Sequence, residues 1–155
     1  MRFRTRTFVA LLLVTSLALA ASTILVTTTL RTSMRDDIEQ SLVRQARLAA
    51  ELLADRGPLP DPQAEAHVLS DLVGARITFI TSDGRVIGDS EVAAAELGGV
   101  DNHGDRAEVI QAQREGIGIA ERQSATTGIA TIYAAAAIRQ GPIRYVRVSL
   151  ALTSI

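Results

Sequence analysis

The chain has 155 residues, a formal net charge of −1 and no cysteine. That length suits one domain with a real core, the charge gives no bulk attraction to nucleic acid, and the absent thiols exclude disulfides, thiolate zinc sites and a cysteine nucleophile. Hydrophobic residues make up 47% and aromatics only 3%, so the core is built from Ala, Val, Ile and Leu, with few rings on which bases could stack.

At the N-terminus Arg2, Arg4 and Arg6 precede a run without charge from Thr7 to Leu30. At about 1.5 Å per residue this run reaches the ~30 Å of a bilayer core. The leading arginines orient it with a cytoplasmic N-terminus, in the inner membrane, and place residues after about 31 outside the cytoplasm. The small-residue stretch Ala18 to Ala21 also fits a signal-peptide cleavage site, the alternative to an anchor. Apolar residues continue past it through Ile24, Leu25 and Val26, which a span requires and a signal peptide does not. The expected division is a cytoplasmic stub and membrane helix over 1–30 and an exported domain over 31–155.

From Arg31 to Arg56 there is no Gly or Pro, and Met34, Ile38, Leu42, Ala46, Leu48, Ala49, Leu52 and Leu53 recur mostly at three- and four-residue steps. This predicts one long amphipathic helix continuing from the span. Gly57 to Pro62 ends it, with Gly57 at its C-terminal cap. A second helix is expected over about 63–72. The periodicity then changes: residues 75–90 read as a β-hairpin turning at Asp83-Gly84, which gives Asp83 to the turn and Asp89 to a strand end. Glu91 to Gly99 predicts a short helix or loop. Three β-rich runs close the chain, over 117–125, 128–138 and 143–152, separated at Thr126-Thr127-Gly128 and at Arg139 to Pro142. The fold class is therefore α+β, with a mostly antiparallel sheet of about five strands.

Asp101 to Val109, "DNHGDRAEV", packs three acids, an asparagine, an arginine and a histidine into nine residues. Asp105 and Glu108 have the spacing of a capping box at a helix start, Asn102 and Gly104 are turn formers, and Asp101 reads as solvated. His103 and Arg106 are left without a local structural purpose and become candidates for ligand or signal contact. Arg122 and Tyr133 join them as the polar residues on predicted strands, with a solvent-facing strand position as the alternative for each. His67 lies far away on a predicted helix, no nucleophile elbow occurs, and the glycines match no phosphate loop, so no catalytic residue, cofactor or metal site is expected.

The order of these features resembles the extracytoplasmic sensor region of membrane-bound bacterial histidine kinases of the phosphate-regulon type. The resemblance rests on "ITFITSDGRVIGDS", "DNHGDRAEV", a Gly-rich stretch, "YAAAAIR" and "IRYVRVSLALT", and it covers nearly the whole chain. Ala107 departs from it, since the family often carries proline there. The resemblance implies a PAS-like fold behind a first span, a parallel homodimer through the long helix, and a downstream span, HAMP linker, phosphoacceptor helix and ATP-binding domain acting on a response regulator. Those modules lie outside these residues, so the chain is expected to be a fragment or truncated product of such a kinase and to have no kinase activity itself. A tethered or secreted small-molecule-binding protein without signalling is the second reading. The sequence names neither the stimulus nor the cognate regulator.

Overall fold

The structure is a computed structural model and describes residues 2–56, 59–124, 128–139 and 141–152. The expected cap at Gly57, the turn residues Thr126, Thr127 and Gln140, the end of a β-run at Ala125 and the terminus at Ile155 lie outside the described residues, as do the side chains of Arg2, Arg4, Arg6, Leu30 and Arg31. The elements in order are α1 (Arg2–Arg56), α2 (Pro62–Val73), β1 (Arg76–Ile80), β2 (Val86–Asp89), a short 3-10 helix (Ala94–Gly99), α3 (Ala107–Glu115), β3 (Ile117–Gln123), β4 (Ala130–Ala137) and β5 (Tyr145–Ala151). Packing divides the chain into two units, Met1–Ile38 and Glu39–Ile155.

The first unit is helical, and among the described residues α1 is the one helix long and apolar enough to cross a membrane. Its large side chains Phe8, Leu11, Leu17, Leu19 and Leu25 are all exposed. The threonines that interrupt the apolar run satisfy their hydroxyls within the helix. Thr15 donates to the Leu11 carbonyl at 3.0 Å, Thr23 to Leu19 at 2.9 Å and Thr27 to Thr23 at 2.7 Å. Back-bonding of this kind removes the cost of carrying a hydroxyl into hydrocarbon.

The second unit is α+β, built on a five-stranded antiparallel sheet in the order β2-β1-β5-β4-β3. Side chains alternate between its two faces, and the register assigns each. Ile77 pairs with Val148 and Val148 with Ala134, while Phe79 pairs with Val146 and Val146 with Ala136. Those residues, with Ile132, make an apolar face that is buried almost completely. Leu42, Ala46, Ala49, Ala50 and Leu53 of α1 and Ala66 and Leu69 of α2 are also buried in this unit.

The long helix is present as expected, but its apolar positions do not all face inward. Leu42, Ala46, Ala49 and Leu53 form the buried stripe, whereas Met34, Leu48 and Leu52 are exposed. The three- and four-residue steps fit more than one stripe, and the small alanines are the ones that allow close approach.

The opposite sheet face is half apolar. Val109 and Ala112 of α3 pack there on Ile80, Ala135 and Tyr145. Gly118 permits this, because a Cβ at that position would collide with the Glu108 carbonyl and the Ala112 amide of α3. The rest of that face carries the charged residues described next.

Candidate functional site

Along the second face the register aligns Asp89 with Thr78, Thr78 with Arg147, and Arg147 with Ala135. Two residues along each strand, Arg76 aligns with Ser149 and Ser149 with Tyr133, and Arg122 with Thr131 lies two further on β3 and β4. Five strands therefore bring Arg76, Thr78, Asp89, Arg147, Tyr133 and Arg122 to one side of the sheet.

These groups form one connected chain of hydrogen bonds. Arg122 donates to one Glu108 oxygen at 2.7 Å and Arg147 to the other at 3.4 Å. Arg147 also donates to the Thr78 hydroxyl at 3.2 Å, which in turn donates to Asp89 at 2.8 Å. Arg76 closes the chain by gripping both Asp89 oxygens, at 2.9 and 3.1 Å. Tyr133 lies beneath two of the cations, with the Arg122 guanidinium 3.8 Å and the Arg147 guanidinium 5.1 Å from its ring centre. Asp89 and Glu108 are fully buried and Arg147 nearly so. Removing such ions from water is expensive, and only this mutual pairing makes it tolerable.

The segment Asp101 to Arg106 covers the network and is tied down on the β1–β2 turn. Asn102 donates to the Asp83 carbonyl at 2.7 Å, the His103 amide donates to the Gly84 carbonyl at 2.8 Å, and the Gly104 amide donates to the Asn102 side chain at 2.8 Å. Gly84 has φ +85°, and a Cβ there would run into the Asn102 side chain, so the turn residue also seats the loop. Between loop and sheet lies a cavity of about 310 Å³, with Arg76, Arg106, Arg122, Arg147, His103 and Tyr133 among its lining residues.

All four site residues expected from the sequence, His103, Arg106, Arg122 and Tyr133, thus meet at one cavity. Tyr133 is buried and Arg122 half-buried, so neither is a simple solvent-facing strand position. The capping-box expectation is not met. Arg106 occupies the cap position with no side-chain cap bond, Asp105 is exposed, and Glu108 faces inward to the two arginines. The attraction of two guanidiniums for a buried carboxylate outweighs the single amide bond a capping box would supply.

Arg76, Thr78, Asp89, Glu108 and Arg147 were legible only as strand or helix residues. A signal for Arg147 does exist. It stands between Val146 and Val148 in an apolar β-run, and a charge in such a position is tolerated only with partners.

The electrostatics are set by burial and by crowded cations. Burial, together with the positive charges of Arg147, Arg106 and Arg122, pushes His103 down to about 3, so its imidazole is neutral at any physiological pH. Burial also lowers Arg147, to about 10, against the raising effect of Glu108. Among the described residues, His103 Nδ1, Arg106 Nε and Arg147 Nε are buried without a hydrogen-bond partner. Among the described residues no three of His, Asp and Glu converge as a cation site would require. Comparison with family models and with curated proteins finds no match to this chain.

Proposed function

We propose that this chain is the sensory input region of a two-component sensor histidine kinase. In this reading α1 anchors it in the inner membrane with the N-terminus inside, residues after about 31 form an extracytoplasmic PAS-like sensor, and the signal passes along α1 to a kinase module encoded beyond codon 155. The observation that carries the reading is the charged cavity. The sheet's other face is filled with apolar side chains, and a purely structural domain would fill this one in the same way. Here buried ions line a hollow instead, in a unit that follows a helix apolar enough to span a bilayer. A concave site with convergent polar groups and a strongly shifted titratable side chain, here His103, is where ligand recognition is first sought.

The proposal includes a parallel homodimer through α1. Of the stripe Met34, Ile38, Leu42, Ala49 and Leu52 that reads from the sequence as its seam, Met34 and Leu52 are exposed and support the reading, whereas Leu42 and Ala49 are buried within the chain itself and drop out of it. The response regulator enters only through the kinase module. The coding sequence downstream of codon 155 tests the reading: a second apolar span, a HAMP-type linker and kinase domains are expected. An immediate stop codon would overturn it and favour the tethered binding protein.

A further inference from the structure

Exposed apolar side chains are distributed unevenly over the second unit. Among its described residues the large ones are Leu48 and Leu52 of α1 and Val68 and Leu72 of α2, exposed by 53%, 38%, 50% and 69%. All four belong to one pair of helices. Gln45 of α1 donates to the Val73 carbonyl at the end of α2 at 3.3 Å, and Arg56 at the end of α1 pairs with Glu65 in the first turn of α2. The helices therefore run antiparallel, side by side, and at about 1.5 Å rise per residue Leu48 stands level with Leu72 and Leu52 with Val68. Leu48 and Leu52 lie one turn apart on α1, as do Val68 and Leu72 on α2, while the other sides of these helices supply the buried Leu42, Ala46, Leu53, Ala66 and Leu69. The result is an outward-facing apolar strip across two helices, bounded at each end by a polar tie. Single exposed apolar residues need no explanation, but a contiguous strip does.

We propose that this strip receives α1 of a second copy of this chain, so that α2 forms a second wall of the dimer interface beside the α1 seam. The proposal deepens the sensor reading and rests on it for the common membrane anchor, which makes both copies leave the bilayer in the same direction. Two parallel copies are related by a two-fold axis along the helices, and such an axis keeps every residue at its own height. Leu48 and Leu52 of one copy then meet Leu72 and Val68 of the other as well as their own counterparts, apolar against apolar at each level. The charges agree with this arrangement. At about 100° per residue Arg47 lies on the flank of α1 turned away from Gln45 and Arg56, and hence away from the α2 of its own chain. There it comes level with the partner's Asp71, and both positions are exposed. The strip is thus complementary to itself, which is what an interface between identical copies requires.

The chain has no cysteine, so introduced ones report alone. Two differently tagged copies of the full chain are co-expressed in membranes, one carrying Leu48→Cys and the other Leu72→Cys. A disulfide joining the two tags is expected, and none when Leu72→Cys is replaced by Gln113→Cys at an exposed position of α3. Val68→Asp combined with Leu72→Asp, which alters exposed positions alone, should weaken the dimer at least about tenfold in detergent micelles with an unchanged circular dichroism spectrum. Arg47→Asp should weaken it as well, and adding Asp71→Arg should restore it. An unrelated partner helix or lipid covering the strip would give no such rescue, and its absence overturns the inference. Tag-joining disulfides between two Leu48→Cys copies, with none to Leu72→Cys and a dimer indifferent to the α2 substitutions, overturn the inference and leave the α1 seam standing. A chain that stays monomeric throughout overturns both.

Discussion

Glu108 and Asp105 stand three residues apart at the start of α3, and the structure gives them opposite weights. Glu108 is shared by Arg122 and Arg147, so Glu108→Ala leaves the buried Arg147 guanidinium with the Tyr133 ring and, among the described residues, the Thr78 hydroxyl, but without its carboxylate partner. Breaking a buried ion pair from one side costs about 3–5 kcal/mol. Asp105 caps nothing and is exposed, so Asp105→Ala should shift stability by no more than about 0.5 kcal/mol. Paired thermal melts check both, and equal losses would contradict the assigned roles. His103 gives a pH signature. Its value near 3 in the fold lies below the ordinary 6.5, so between those values the unfolded chain binds the proton that the folded one refuses. Stability from this group is complete above about pH 6.5 and is lost as pH falls toward 3. His103→Gln should therefore flatten the stability profile across that window relative to wild type, and parallel profiles would place the imidazole in water. His103 and Arg106 were legible in the sequence because their neighbours already had local duties. Glu108 was misread because capping is a local pattern, whereas its true partners lie 14 and 39 residues away on β3 and β5.

At the scale of elements, local signals carried far. Asp83-Gly84 marks the hairpin, and Pro62 and Gly74 bound α2, where Asp61 accepts from the Gln63 and Ala64 amides at 3.0 and 3.1 Å. The expected β-runs contain β3, β4 and β5 within a few residues at each end. What no local pattern supplied is strand order: β5, last in the chain, inserts between β1 and β4, and that placement carries Arg147 to the centre of the charged face. Gly118 is the element-level counterpart, a position read from sequence only as part of a Gly-rich stretch. Since a Cβ there meets α3 backbone, Gly118→Ala should destabilise the unit by about 1–3 kcal/mol through overpacking. A melt unchanged by this substitution would mean that α3 does not rest on β3 as described. The α1 stripe is a different case. A parallel dimer predicts that single cysteines at Met34, Leu48 and Leu52 cross-link in membranes, while cysteines at the buried Leu42 and Ala46 do not. Uniform cross-linking along the helix, or none, would contradict the seam.

At the scale of the whole molecule, an apolar helix and an α+β unit with a cation-lined hollow make sense together if the hollow faces the world outside the cytoplasm. Topology is thus the claim on which the sensor reading stands, and it follows from the three arginines ahead of a segment without charge from Thr7 to Leu30. Alkaline phosphatase folds to activity only after export, which makes a fusion after Ile155 the most direct measurement. The account predicts active phosphatase at that junction and an inactive cytoplasmic reporter at the same point. Inactive phosphatase with an active cytoplasmic reporter would contradict it.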